Sequence, residues 1–172
     1  WFPTFQPDPA PATVADPTRL PTHWLGYEGV EAVIVAPDRP EPFAALPPDG
    51  AQVAALLQWL HAGGRVWAAL SDSTAPLFTA GGVLARLGIG DAAASVALPR
   101  TTTLEKFAGS ETLQSIAAAD LRKSPLLVPR LAADDAIVDL CEGDLPPVLR
   151  RAAGLGVLLT TTFHTEHALF AS

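Results

Sequence analysis

Two short apolar runs flanking an amphipathic stretch constrain the fold of this chain most strongly. The runs are VEAVIVA at residues 30–36, ended by Pro37, and RVWAAL at residues 65–70, and both are typical of buried strands. Between them, Val53, Leu56, Leu57 and Leu60 recur at helical spacing, which predicts an amphipathic helix. Asp49 and Gln52 resemble a capping box at its start, and glycines 63–64 form a stop signal at its end.

A second helical segment is predicted after RVWAAL. It begins at Pro76, carries Leu77, Val83, Leu84 and Leu87, and ends at Gly88. Strand, helix, strand and helix in this order indicate a parallel sheet with right-handed crossovers, so the predicted fold class is α/β.

The middle and the end of the chain follow a different pattern. Residues 95–98 and 101–107 are weaker strand candidates, and a short helix is predicted from Ser110. Near the C-terminus, residues 136–141, 147–151 and 157–163 alternate with turns. This spacing predicts an antiparallel hairpin feeding one further strand.

Size and charge exclude several classes of protein. A chain of 172 residues suffices for one domain with a real core, and its apolar content of 49% argues against disorder. The net charge is -7 and the basic residues are scattered, so we expect no nucleic-acid partner. No apolar stretch is long enough to cross a bilayer, and the single cysteine, Cys141, cannot form an internal disulfide.

The N-terminal region is rich in proline and poor in apolar side chains that could drive packing. We expect residues 1–19 to be an extended arm or linker and residues 20–172 to form a single domain. Aromatic residues on the arm, Trp1, Phe2 and Phe5, could pack on this domain, on another domain or on a second copy. A chain that starts with Trp1 and contains no methionine suggests a piece excised from a longer protein.

A possible catalytic set links the turn after RVWAAL with the segment TTTFHTEH. Ser71 would be the nucleophile, His164 the base, and Glu166 the group that orients the imidazole. The string Ser-Asp-Ser-Thr-Ala-Pro fits equally well as a helix N-terminal cap, and we favour the cap because the small neighbours of a nucleophile elbow are missing. His164 and Glu166 also form an easy local pair on one face of a strand.

The segments EAVIVAP, RVWAAL followed by SDSTAPLFTAGG, and GLGVLLTTTFHTEH together resemble the class I glutamine amidotransferase-like fold. His164-Thr165-Glu166 resembles the late His-Pro-Glu motif of that family. The cysteine elbow is absent, because Ser71 follows the strand and Cys141 lies elsewhere. The usual thiolate chemistry of glutamine hydrolysis is therefore excluded.

The phrases LPTHWLGYEGVEAVIV, AALLQWLHAGGRVW and RRAAGLGVLLTTTFHTEHALF are similar to degenerate amidotransferase-like domains in the extracytoplasmic parts of bacterial membrane proteins. This resemblance implies a flavodoxin-like three-layer sandwich with helices on both faces of a mostly parallel sheet. It further implies a non-enzymatic binding or assembly role, with a protein partner or other domains of the parent protein. Membrane attachment would come only from segments outside residues 1–172, and the alternative is a serine hydrolase or peptidase of the same fold.

Candidate binding residues form two groups. Trp24 and Tyr27 could stack on a ligand or close the bottom of the core, and Asp72 and Ser73 are polar residues of the turn after a strand. We expect no cofactor, because the glycines do not form a dinucleotide loop. We also expect no metal: the His164, Glu166 and His167 group lacks the usual ligand spacing, and the acidic residues around Asp139 and Glu142 suit a solvated hairpin face.

Overall fold

The strand, helix and strand expected from the two apolar runs are present in the computed structural model of the chain. Strand β1 spans Val33–Val35, helix α1 spans Ala51–His61 and strand β2 spans Arg65–Ala69. The structure describes residues 11–37, 39–90, 92–98, 100–103, 126–131 and 135–163. Five more strands lie in these ranges: β3 (Ala92–Ala97), β4 (Leu127–Leu131), β5 (Ile137–Glu142), β6 (Leu145–Ala153) and β7 (Gly156–Thr161).

The main sheet has five strands in the order β1-β2-β7-β6-β5. Strands β1, β2 and β7 run parallel, whereas β6 runs antiparallel to both β7 and β5. The predicted α/β class, its parallel sheet and the C-terminal antiparallel hairpin are thereby confirmed. The second sheet pairs β3 with β4 in antiparallel fashion. Sequence reasoning missed β4, because Pro129 in the middle of LLVPRL argues against a strand.

Alternation along the strands divides the apolar side chains of the sheet between two clusters. Leu149 and Leu158 belong to the larger cluster, which includes the buried face of α1. Their neighbours Val148 and Leu159 belong to a second cluster with Leu98, Leu126, Val128, Leu140 and Leu145. Successive strand residues point to opposite faces, so the sheet separates the two clusters. Helix α1 covers one of these faces.

The start of α1 differs from the capping box predicted from Asp49 and Gln52. The N-cap residue is Gly50, and no side chain caps the helix. Gln52 instead donates a 3.1 Å hydrogen bond to the Thr18 carbonyl, and Asp49 is exposed, 3.8 Å from Arg86. Pro17 is buried as well, so the last residues of the proline-rich segment contact the domain.

The second helical segment, predicted from Pro76 to Leu87 and weakened by glycines 81–82, does not form one helix. Two single turns of 3-10 helix stand there instead, at Ala75–Leu77 and Ala85–Leu87. The cause lies at Gly82, where a Cβ atom would clash with the carbonyl oxygens of Pro76 and Leu77. The backbone folds back on itself at this point, and Leu84 N–H donates to the Leu77 carbonyl at 2.7 Å.

The weaker assignments in the middle of the chain had mixed outcomes. Strand β3 includes most of the predicted run 95–98 but begins earlier. The prediction of a strand at residues 101–107 was wrong for the start of that run, because Thr102 and Thr103 are helical. The rest of that run and the helix predicted from Ser110 lie outside the described residues. Within the described ranges, no helix has the length and apolar character needed to cross a membrane.

Candidate functional site

The carboxyl ends of the parallel strands bring three chain segments to one edge of the sheet, the carboxyl edge. Strand β1 leads to Pro37, β2 leads to Ser71, and β7 leads to Thr162. Open α/β sheets bind their ligands outside the carboxyl ends of the strands. This edge is therefore the first place to look for a functional site.

The turn after β2 is closed by its own backbone. The carbonyl of Ser71 accepts hydrogen bonds from the N–H groups of Thr74 (3.3 Å) and Ala75 (2.9 Å). The N–H of Ser71 donates to the Thr74 hydroxyl at 2.9 Å. The predicted polar turn is confirmed, but the favoured helix cap is not: the 3-10 turn Ala75–Leu77 has no side-chain cap. The Thr74 hydroxyl instead accepts from the N–H of Ser71, a residue that precedes it within the turn.

The side chain of Ser71 is engaged within the same turn. Its hydroxyl lies 2.9 Å from the Thr74 hydroxyl and 3.0 Å from the Ser73 hydroxyl. Thr74 is completely buried and fixes one side of this network. Asp72, which is exposed, accepts a hydrogen bond from Ser95 and so connects the turn to β3. We name Ser71, Asp72, Ser73 and Thr74 the hydroxyl turn.

The backbone at Ser71 also differs from a nucleophile elbow, in which the serine sits on a strained turn. Asp135 is the one non-glycine residue with a positive φ in the described part of the chain. Ser71 therefore lacks left-handed backbone strain. The geometry favours a hydrogen-bonded turn over a projecting nucleophile.

His164, Glu166 and His167 lie outside the described residues, so the pairing of Ser71 with His164 stays a prediction. The described end of β7 nevertheless lies close to the strand that leads to Ser71. Strand β7 lies directly beside β2, and Leu70 N–H donates to the Thr161 carbonyl at 2.8 Å. Thr161 and Thr162 are both buried at the carboxyl edge.

The predicted binding residues fall into two separate places. Asp72 and Ser73 are exposed members of the hydroxyl turn at the carboxyl edge. Trp24 and Tyr27 are the first and last residues of a 3-10 helical turn, Trp24–Tyr27. This turn precedes β1 and therefore lies at the opposite end of the parallel strands, which we name the amino edge. Strands rise about 3.3 Å per residue, so the length of β2 and its flanks puts roughly 20 Å between the two places.

Trp24 and Tyr27 line a groove at the amino edge, with a volume of about 340 Å³. Trp59 of α1, the carboxylates Glu28 and Glu31, and the backbone at Gly63 and Gly64 complete most of its wall. We name this feature the amino-edge groove.

Tyr27 is the most buried aromatic residue of the groove wall. Its ring stacks on Trp59, with 5.3 Å between ring centroids and 29° between planes. Only 3% of the residue is exposed, and its hydroxyl has no hydrogen-bond partner among the described residues. Burial raises the pKa of Tyr27 to about 12, because the phenolate would lose its hydration. Tyr27 thus closes the core and lines the groove at once.

Sequence reasoning missed the burial of Glu142. It was expected on a solvated hairpin face, but it is fully buried at the end of β5. Its carboxylate accepts hydrogen bonds from Arg100 Nε at 3.2 Å and from the N–H of Thr103. The sequence did contain a signal for this burial. Glu142 lies two residues after Leu140 in the strand, and residues two apart in a strand face the same side. The neighbouring Cys141 is exposed.

The remaining acidic residues of the hairpin offer no evident metal site. Asp139 pairs with Arg150 at 3.0 Å. Within the described ranges, no group of three or more His, Cys, Asp or Glu side chains is placed to hold a metal ion. The His164, Glu166 and His167 group falls outside those ranges.

No protein-family model and no curated protein matches the chain. Among solved structures, cytoplasmic protein STM3548 from Salmonella typhimurium is similar with a TM-score of 0.54 and 13% identity, over 88% of this chain and 68% of that one. Cytoplasmic protein STM1381 from Salmonella typhimurium LT2 has a TM-score of 0.52 and 10% identity, over 87% and 67%. Identities this low show a shared fold alone.

A third solved structure is the exo-beta-1,4-mannosidase Op5Man5 from Opitutaceae bacterium strain TAV5. Its TM-score is 0.49 at 14% identity, and the match covers 84% of this chain. The chain spans only 22% of the length of that protein. A similarity of this extent carries no argument about activity.

Proposed function

We propose that the chain is a non-enzymatic binding or assembly domain of a larger, membrane-anchored bacterial protein, displayed outside the cytoplasm. Its fold is proposed to be the flavodoxin-like, three-layer form of the amidotransferase-like family, with helices on both faces of the sheet. The support is the resemblance of several sequence segments to degenerate domains of this type. The parallel arrangement of β1, β2 and β7 is consistent with that resemblance.

The proposal that the domain is non-enzymatic rests on the hydrogen bonds of the Ser71 hydroxyl. It is hydrogen-bonded to the hydroxyls of Ser73 and Thr74, where a nucleophile requires an imidazole. The backbone there also lacks left-handed strain. A serine of this kind stabilises a turn.

The binding surface is proposed to include the exposed residues of the hydroxyl turn. Asp72 and Ser73 present a carboxylate and a hydroxyl at the edge of the sheet where α/β proteins bind ligands. The partner is proposed to be another protein or another domain of the parent protein. Short polar side chains on a turn fixed by a sheet can form directional hydrogen bonds with such a surface.

A second candidate function, a serine hydrolase or peptidase, is favoured by one specific observation. Strands β2 and β7 are neighbours, so the end of β7 at Thr161 lies beside the end of the strand that leads to Ser71, and His164 and Glu166 follow Thr161 in the sequence. In this alternative, His164 is the general base and Glu166 orients it.

Covalent labelling separates the two candidates. The protein is incubated with a fluorophosphonate probe, which reacts with activated serines, and Ser71→Ala is compared with the matched control Ser73→Ala. Absence of labelling in the wild-type protein is expected from the binding domain. Labelling that is lost in Ser71→Ala and retained in Ser73→Ala would establish the hydrolase instead.

A further inference from the structure

The face of the main sheet opposite α1 has an apolar patch beside the edge strand β1. Ile34 of β1 is the register partner of Trp67 of β2, and Arg65 of β2 is the partner of Val157 of β7. Val66, which lies between Arg65 and Trp67, belongs to the cluster that includes α1. Because successive strand residues point to opposite faces, the four partnered side chains point away from α1. We name these four residues the open patch.

The open patch exposes large apolar side chains and one cation. Ile34 is 60% exposed and Val157 is 38% exposed. Trp67 is partly exposed, and its ring belongs to neither of the two hydrophobic clusters of the described residues. Arg65 is exposed and makes no ion pair with a described residue. Contiguous apolar surface with a polar rim is typical of a docking surface.

The N-terminal arm, residues 1–19, joins the domain next to the same edge strand. Its last residues form the 3-10 turn Pro17–Arg19, which contacts the turn Glu41–Ala45 that follows β1. The carbonyl of Thr18 also accepts a hydrogen bond from Gln52 in the first turn of α1. The arm is therefore attached on the α1 side of the sheet, and the open patch lies around the edge formed by β1.

The length of the arm is sufficient for the path around β1. Residues 1–10 lie outside the described residues, and residues 11–16 are exposed. About twelve residues separate Phe5 from Pro17, and an extended chain advances about 3.3 Å per residue, which gives a reach of roughly 40 Å. Packed layers of secondary structure lie about 10 Å apart, so this path uses only part of that reach.

The chemistry of the arm complements that of the open patch. Trp1, Phe2 and Phe5 are large aromatic side chains, which gain from contact with an exposed apolar surface. Residues 1–18 contain no Lys or Arg, and Asp8 is opposite in charge to Arg65. The prolines of the arm restrict its backbone before docking, so docking costs less conformational entropy than it would for a flexible chain.

We propose that the arm docks on the open patch of its own chain. The aromatic side chains of the arm cover Ile34, Trp67 and Val157, and Asp8 pairs with Arg65 at the rim. The occupant is this segment because its attachment beside β1 gives it a high effective concentration at the patch. The open patch does not include the hydroxyl turn, so the inference does not depend on the function proposed for that turn.

Hydroxyl-radical footprinting of the full chain, read by mass spectrometry, measures the exposure of Ile34 and Trp67. The double substitution Phe2→Ser with Phe5→Ser is expected to lower the ratio of docked to undocked arm by about tenfold or more, because two aromatic side chains lose their apolar contacts. Oxidation of Trp67 and Ile34 should rise accordingly. The matched control Val14→Ser removes an arm side chain that is already 50% exposed, and it should leave oxidation unchanged. Equal oxidation in the wild-type protein and the double variant, or an equal rise in the control, overturns the proposal.

A double-mutant cycle in the same footprinting measurement tests the ion pair. Asp8→Asn and Arg65→Gln are each expected to reduce the ratio of docked to undocked arm by about two- to fivefold, and the two together by no more than either alone. Strictly additive effects overturn the pairing of these two charges.

Protein concentration and the double variant identify the occupant of the open patch. Protection of Trp67 that is equal at high and low protein concentration is expected when the arm belongs to the same chain. Protection that is lost on dilution identifies a second copy. Protection that is retained in the variant with Phe2→Ser and Phe5→Ser identifies another segment of the chain, and either of these two results overturns the assignment to the arm.

Discussion

The indole N–H of Trp67 donates a 3.1 Å hydrogen bond to the hydroxyl of Thr161, which joins β2 to β7 beside the carboxyl edge. The two residues lie 94 positions apart in the chain, on neighbouring parallel strands. The bond fixes the last residue of β7 relative to the strand that leads into the hydroxyl turn. Any function of that edge depends on this register.

Thr161→Val is expected to lower the free energy of unfolding by about 0.5–1.5 kcal/mol, because the isosteric valine cannot accept the indole N–H. Chemical denaturation of Thr161→Val, Trp67→Phe and the double variant measures the bond by a double-mutant cycle. Strictly additive effects would show that the hydrogen bond contributes nothing.

Glu142→Gln is expected to lower the free energy of unfolding by about 1–3 kcal/mol, because the buried carboxylate accepts from both Arg100 and the Thr103 N–H. The control is Asp144→Asn in the same turn, whose side chain is exposed and whose loss should cost less than about 0.5 kcal/mol. Equal effects of the two substitutions in urea denaturation would contradict a structural role for Glu142.

Stability should fall at high pH through Tyr27, the single tyrosine of the chain. Its pKa is about 12 in the folded protein and about 10 in the unfolded chain. The unfolded state therefore loses the proton first, and stability that is fully present below pH 10 is lost as pH rises toward 12.

Two measurements check this expectation. Tyrosinate absorbance should appear near pH 12 in the folded protein and near pH 10 in strong denaturant. Between pH 10 and pH 12, the free energy of unfolding of Tyr27→Phe should fall less than that of the wild-type protein. The prediction fails if tyrosinate forms at the same pH in both states.

Gly156→Ala is expected to lower the free energy of unfolding by about 2–3 kcal/mol, because the new methyl group would clash with the carbonyl oxygens of Leu60 and Gly64. The control is Gly143→Ala, where the φ angle is +63° but the surrounding space is open, so only the backbone cost of about 1 kcal/mol applies. Thermal unfolding of both variants measures this difference in stability. An equal loss of stability in the two variants would show that the backbone of Gly156 is not tightly packed against the end of α1.

The sequence predicted the elements whose causes are local. The apolar runs at β1, β2 and β7, the spacing of Leu56 and Leu60, and the hydroxyls of Ser71 and Thr74 each carry their own signal. Where the burial of a side chain depends on residues that are distant in the chain, the sequence alone offers little basis for predicting it. Glu142 is buried because Arg100 and Thr103 reach it from 42 and 39 residues away.

Two errors arose where local signals competed. Asp49 has the chemistry of a helix cap, but the N-cap position is occupied by Gly50, and the helix begins at Ala51. Leu77 and Leu84 have helical spacing, but the backbone contact at Gly82 breaks the helix between them. The amino-edge groove had only a partial signal in Trp24 and Tyr27, because Trp59 joins them through tertiary packing.

The sheet separates the hydroxyl turn from the amino-edge groove by the length of its strands. A molecule that covers the hydroxyl turn would therefore leave the amino edge open to solvent, so contact at one end of the strands places no steric limit on the other end.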